Sequence, residues 1–192
     1  MATNRTVAPV AEPISLDEAK AHLRVTHNLE DALIAALIKA AREWAEGYQN
    51  RAYITQTWEL WLDEFPRADY IPIPQPPLKS VTSVKYYDTA NTEATMAATD
   101  YFVDAKSEPG RLVLAYGSSW PSTTLRPANG VCITFVAGYG DAADIPQAQK
   151  AAMLLAIGTW YSKRETIEIG SAVHEVPFAA KMLLDQARMV PV

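Results

Sequence analysis

Residues 28–48 read NLEDALIAALIKAAREWAEGY, and the rotation of this stretch about its own axis decides how the rest of the chain assembles. Asn28 can cap a helix, Glu30 and Asp31 set carboxylates near the positive end of its dipole, and no Pro interrupts residues 32–48. A helix over 28–48 lines up Leu29, Leu33, Ala36, Leu37, Ala40, Ala41 and Trp44 as one apolar ridge, the spacing of a core-facing stripe. Ile34 and Ile38 form a second ridge, about 100° further round, beside Ala35 and Ala45. One small core does not need both. The expectation is that Leu33, Leu37 and Trp44 face the home core while Ile34 and Ile38 meet a neighbouring subunit; burial of both ridges inside one bundle is the alternative.

Upstream, Ser15-Leu-Asp-Glu18 has the form of a capping box, so a short helix runs to about residue 24. Residues 1–13 carry Pro9 and Pro13 without periodicity and read as a flexible arm. Downstream the grammar changes at residue 54 to short runs of Thr, Val, Tyr and Trp broken by Pro, Gly and Asn, as an antiparallel β region requires. Strands are expected near 54–62, 81–87, 111–116 and 131–137, with a weaker one at 101–103. The run Ile71-Pro-Ile-Pro-Gln-Pro-Pro77 lacks ladder donors at each Pro and belongs at an edge or in extended structure. Helical grammar returns at Pro146, with an apolar helix to about residue 163 that includes Ala151, Met153, Leu154, Leu155, Ile157 and Trp160. After a linker, a last helix over 177–188 carries Phe178, Met182 and Leu183 at core spacing. The fold class is therefore α+β: a helical bundle of two N-terminal and two C-terminal helices (15–50 and 145–190) with an inserted antiparallel β region (54–138), read as one domain spanning 1–192.

Apolar residues make up 49% of the 192, charged residues 20%, values of a folded chain with a core. A formal net charge of -5 argues against a surface that grips phosphate backbones, so DNA affinity is expected to be weak and non-specific. The one cysteine, Cys132, lies in the apolar run 131–136 and reads as a buried thiol. No stretch approaches the roughly 18 apolar residues of a membrane span, and the first residues lack an apolar targeting segment, so assembly in a cytoplasm is expected.

Chemistry has few places to sit. His22, His27 and His174 do not pair at helical spacing as a zinc site requires. Gly117-Ser118-Ser119-Trp120 lacks the second glycine of a nucleophile elbow and reads as a loop. Gly138-Tyr-Gly140-Asp-Ala-Ala143 matches a dinucleotide fingerprint in form, but no strand with a ribose-binding carboxylate follows its helix, so a tight strand-to-helix turn is expected. Asp63-Glu64 and Glu165 with Glu168 read as solvated carboxylates. No catalytic residue, no metal and no cofactor is assigned, and a small nucleotide-binding enzyme using residues 138–143 is the remote alternative.

Ser15-Leu-Asp-Glu-Ala-Lys-Ala-His-Leu-Arg-Val25, Asp31 to Ile38, Ala40-Ala-Arg-Glu-Trp-Ala-Glu46 and Thr55-Gln-Thr-Trp58 resemble the opening of phage head-to-tail connector (adaptor) proteins and their prophage relatives. Phe65-Pro66, Pro77-Leu-Lys-Ser-Val-Thr-Ser-Val-Lys-Tyr-Tyr-Asp88, Trp120-Pro121, Thr134 to Gly140, Pro146, Trp160-Tyr161 and Leu183-Leu184 extend the resemblance along most of the chain. The turn Asp88-Thr-Ala-Asn91 departs from it by lacking a glycine. The resemblance implies a non-enzymatic virion protein at the head-tail junction, a ring of about twelve copies beneath the portal with a head-closure or tail-side protein below. It further implies that genome DNA passes through as non-specific cargo. Another head-completion or tail-side structural protein is the second reading. Ile34 and Ile38 are the expected subunit contacts, with the β insertion and the apolar linker around Ile167 and Ile169 as the next places to look.

Overall fold

The computed structural model describes residues 1–163 and 178–189. In chain order these form β1 (Ala2–Val7), α1 (Leu16–Leu23), α2 (Asp31–Gln49), β2 (Gln56–Leu62), β3 (Tyr70–Ile73), β4 (Leu78–Tyr87), β5 (Glu93–Thr95), β6 (Tyr101–Asp104), β7 (Gly110–Leu114), β8 (Val131–Ala137), α3 (Gln147–Ser162) and α4 (Phe178–Asp185). They group into two compact units, Met1–Pro9 with Thr55–Tyr139, and Val10–Ile54 with Gly140–Val192. The α+β class and the β region inserted between helix pairs are as the sequence implies.

The helical unit begins with the capping box. Ser15 Oγ accepts from Glu18 N at 3.1 Å and Glu18 Oε2 accepts from Ser15 N at 2.8 Å. The backbone N–H of Ser15, then its hydroxyl, hold the Glu18 carboxyl below the usual range. Arg24, in the left-handed region at φ 58, ends α1. Asn28 does not cap α2. Its side chain accepts from Lys20 Nζ at 2.6 Å, Lys20 also reaches Asp31 at 2.7 Å, and the helix starts later, at Glu30.

Within this unit α2 packs on α1, α3 and α4. The inward residues are Ile34, Ile38, Ala41 and Ala45 from α2, Ala152, Met153, Ala156 and Ile157 from α3, and Ala180 and Leu184 from α4, with Ile14 and Ile145 beside them. The small side chains allow close helix approach, and the β-branched ones fill what remains. On α4 the burial falls two positions from the expected Phe178 and Met182, on Ala180 and Leu184: Phe178 and Met182 are 77% and 55% exposed.

The buried stripe of α2 continues into polar residues. Arg42, only 2% exposed, donates from Nε to Glu12 Oε2 at 2.7 Å and from its terminal nitrogens to Glu12 Oε1 at 3.3 Å and Glu46 Oε2 at 2.9 Å. Glu46 Oε1 accepts from Tyr53 N at 2.9 Å. Gln49 accepts from Tyr53 Oη at 2.6 Å and donates to the carbonyl of Leu184, while Asn50 Nδ2 donates to Met189 O at 2.8 Å. This chain of bonds fastens the C-terminal half of α2 to the segment before α1 and to the end of α4.

The β unit holds two antiparallel sheets, ordered β1-β2-β8-β4-β5 and β3-β7-β6. β8 lies in the middle of the larger sheet, which is why its residues form an almost unbroken apolar run. Leu60, Ile133 and Val84 stand in register across β2, β8 and β4, and all are fully buried. β3, with Pro72, takes an edge of the smaller sheet, where a missing donor leaves no gap in the ladder. Two strands depart from the sequence-based expectation. Residues 2–7, expected as a flexible arm, pair along β2, and β5 pairs with the end of β4. At the intervening turn Asn91 adopts φ 66 in place of a glycine, and Asp88 Oδ1 accepts from both Ala90 N and Thr92 N at 2.8 Å.

Removing Arg42 takes the guanidinium away from two carboxylates, Glu12 and Glu46. Arg42→Met is expected to destabilise the helical unit by about 3–5 kcal/mol in urea titration, and Glu12→Gln, at a half-exposed partner, by about 1–2 kcal/mol. Equal, small losses would show that the guanidinium is hydrated rather than clasped.

Candidate assembly surfaces

A helix that turns Ile34, Ile38, Ala41 and Ala45 inward must turn the opposite stripe out. Leu29 is 91% exposed and Leu33 38%, with Ala32, Ala36 and Ala40 exposed beside them and Leu37 and Trp44 half-buried. The expected faces are thus exchanged: Ile34 and Ile38 belong to the home core and are not an accessible contact, while Leu29 and Leu33 are. The cause is chemical. Both stripes are apolar in their N-terminal half, but the Ile stripe runs on into Arg42, Glu46 and Gln49, whose charge and amides suggest solvent until Glu12 and Tyr53 are seen to satisfy them. Ile167 and Ile169 lie outside the described residues.

The outward face of α2 carries Lys39 and Glu43 as its charged groups between positions 32 and 47. Trp44 stacks on Tyr48 at 5.9 Å and meets Trp160 edge-on at 6.1 Å, giving the ridge a rigid C-terminal boundary. A long helix face of Leu and Ala with so little charge is the kind of surface that proteins use to bind one another.

The β unit has a second such face. Cross-strand register places Tyr70, Val113 and Phe102 in one row on the smaller sheet, opposite the face where Ile71 and Leu112 are buried. Phe102 is 66% exposed, and Arg111 lies 5.8 Å over the Tyr70 ring while pairing with Asp104 at 2.7 Å. Alternation in Tyr70-Ile71-Pro72-Ile73 is the signal for this row, masked by the prolines.

Other polar clusters serve the fold. Arg126 lies 4.2 Å over the Tyr87 ring and donates to Asn91 Oδ1 at 2.6 Å and to the carbonyls of Ala128 and Asn129, so it ties two loops together. A cleft of about 630 Å³ between residues 62–65 and 121–127 presents Asp63, Glu64 and the hydroxyls of 122–124, and no imidazole or thiol lines it. Among the described residues no group of three His, Cys, Asp or Glu is placed to hold a metal ion, and no helix is long and apolar enough to cross a membrane. The 138–143 motif forms a turn: Asp141 N donates to Asp144 Oδ2 at 2.9 Å, and a Cβ on Gly140, at φ 145, would lie 2.1 Å from that oxygen. His22 and His27 are exposed and lie apart from any ligand set; His174 is outside the described residues.

The family model described as "Phage gp6-like head-tail connector protein" matches residues 13–107. No curated protein matches the chain. Among solved structures, a chain of the neck of an empty GTA particle, computed with C6 symmetry, superposes with a TM-score of 0.82 at 24% identity, covering 100% of this chain and 97% of that one. A chain of the neck of a native GTA particle, computed with C12 symmetry, gives 0.81 at 24% identity, and one from the virion of a native gene transfer agent particle gives 0.80 at 25%, with the same coverages. At such identities the likeness establishes the fold.

Cys132 is the one thiol, and burial, with the Glu59 carboxylate adding to it, pushes its pKa up to about 11. A thiol reagent at pH 7.5 is expected to modify the native protein at least about 100-fold more slowly than the urea-unfolded chain. Because the folded pKa is raised, the neutral thiol's contribution to stability is complete below the unfolded value and is lost as pH rises towards about 11. Native reactivity matching the unfolded rate would mean that the β8 region opens freely.

Proposed function

We infer the function of this chain from the family to which it belongs over residues 13–107, the phage gp6-like head-tail connector proteins: it is a structural subunit of the junction between a DNA-filled head and its tail. The two units act as one connector domain, and copies form a ring of about twelve, joined by heterologous contacts in which two different patches meet. Like the neck chains it superposes on, it works as part of a particle. The portal lies on its head side and a head-closure or tail-side protein on the other, with the ring assembling in the host cytoplasm. A net charge of -5 suits a passage through which DNA slides without adhering.

The observation that carries this reading is the outward α2 ridge. Leu29, in the turn just before α2, and Leu33, Ala36 and Ala40 on the helix form a nearly uncharged exposed strip beside a helix whose own core is already filled. A second copy is the occupant the reading assigns to it, because cyclic closure needs a patch present on every subunit and complementary to another patch of the same chain. Closure lets each contact be individually weak, since every subunit is held on two sides.

Leu29→Asp combined with Leu33→Asp is expected to keep the thermal transition within a few degrees while abolishing ring formation, measured by mass photometry alone and on portal. Ile34→Asp is expected to cost about 4 kcal/mol or more, because it buries an unpaired carboxylate. A double variant that still forms rings would remove the α2 ridge from the interface.

A further inference from the structure

We propose that β1 is an exchangeable strand, seated on β2 of a neighbouring copy in the assembled ring. The proposal rests on the ring reading above and adds the element by which copies are linked. None of the six side chains of β1 is buried. It is held by its ladder to β2, by Arg5, which donates to Gln56 Oε1 at 3.5 Å and lies 6.0 Å over Trp58, and by Thr6, whose hydroxyl donates to Thr57 O at 3.3 Å. A strand that buries no apolar side chain is released without opening a core.

The seat is also imperfect where the strand joins the rest of the chain. The register slips between Arg5 and Val7, and Trp58 Nε1, on the residue paired with Arg5, is buried with no acceptor among the described residues. Beyond this slip residues 8–11 form no regular element, Val10 is 94% exposed, and the next fixed point is Glu12 on Arg42. A strand supplied by a second copy brings the same side chains with its tether arriving from another direction, so the ladder there need not slip. The acceptor must be filled in either case. β2 is half of a buried row with β8, and left bare it would present an unpaired edge ready to join any passing strand. Exchange of identical elements satisfies that edge in every copy of a closed ring and leaves none over.

The register supplies the test. Asn4 and Glu59 are Cα partners on the outer face of the ladder, so Asn4→Cys with Glu59→Cys, in a Cys132→Ala background, can close a disulfide across β1 and β2. The full-length reduced protein is assembled, at high concentration or on portal, checked for rings by mass photometry, then oxidised and run on a denaturing, non-reducing gel. Exchange predicts covalent chains of several subunits, extending towards the whole ring. Rings whose chains all run as internally oxidised monomers would overturn exchange and leave the ring reading standing. Absence of any ring from the reduced protein and from the wild-type chain would overturn both. Ala2→Cys with Trp61→Cys, the register pair two residues on, repeats the measurement should the first pair disturb folding.

Discussion

A guanidinium leaves water only in company, and Arg42 enters the helical unit between two carboxylates. That requirement sets the rotation of α2. With Arg42 and Glu46 turned inward, the residues one and two turns earlier on the same stripe, Ile38 and Ile34, turn inward as well. Leu33 is then carried to the outside whatever its hydrophobicity, below the exposed Leu29 of the preceding turn. The exposed apolar face of α2, proposed above as the assembly surface, is thus a consequence of where one charge is satisfied. Glu12 makes the arrangement depend on the segment before α1, and Gln49 and Asn50 make it depend on the end of α4. A bundle of short helices with small interior side chains gains from such ties what a larger core would supply by area alone.

The β unit obeys a different rule. Its centre, β8, is apolar on both faces and pairs on both sides, so the larger sheet is organised from the middle outward and weakens towards its edges. β5 is three residues long and β1 buries no side chain. Short or weakly anchored edges limit promiscuous pairing, and they are also where a sheet can be joined by a partner. The smaller sheet adds an exposed Tyr70–Val113–Phe102 row. The surplus of apolar surface thus falls in separate places, on α2 and on the smaller sheet, and the proposed ring with its neighbours would ask for several such surfaces on one chain.

Much of the fold was legible in local chemistry. The Ser15 capping box, the run 131–137 and the helix after Pro146 stand where the residues imply, because each is specified by neighbours in sequence. Misreadings cluster where long-range partners decide. Rotation of α2 depends on Glu12 and Tyr53, which no pattern within residues 28–48 reveals. On α4 the stripe of Phe178 and Met182 reads as core by size, yet Ala180 and Leu184 fill the space available. Asn28 offers a capping side chain, and Lys20 takes it first. β1 has two Thr and a Val but no apolar alternation, so only the waiting edge of β2 makes it a strand. The surplus face of α2 was readable as a quantity; which of its two stripes remained over was not.

Reconstruction of the neck of a particle that contains this chain, by cryo-electron microscopy at side-chain resolution, tests the central claim most directly. The expected result is a closed ring of copies at the head-tail junction in which Leu29 and Leu33 of every subunit are covered by the next, while Ile34 and Ile38 stay in their own core. A ring with Leu29 and Leu33 facing solvent, or a neck in which this chain is absent, would contradict it.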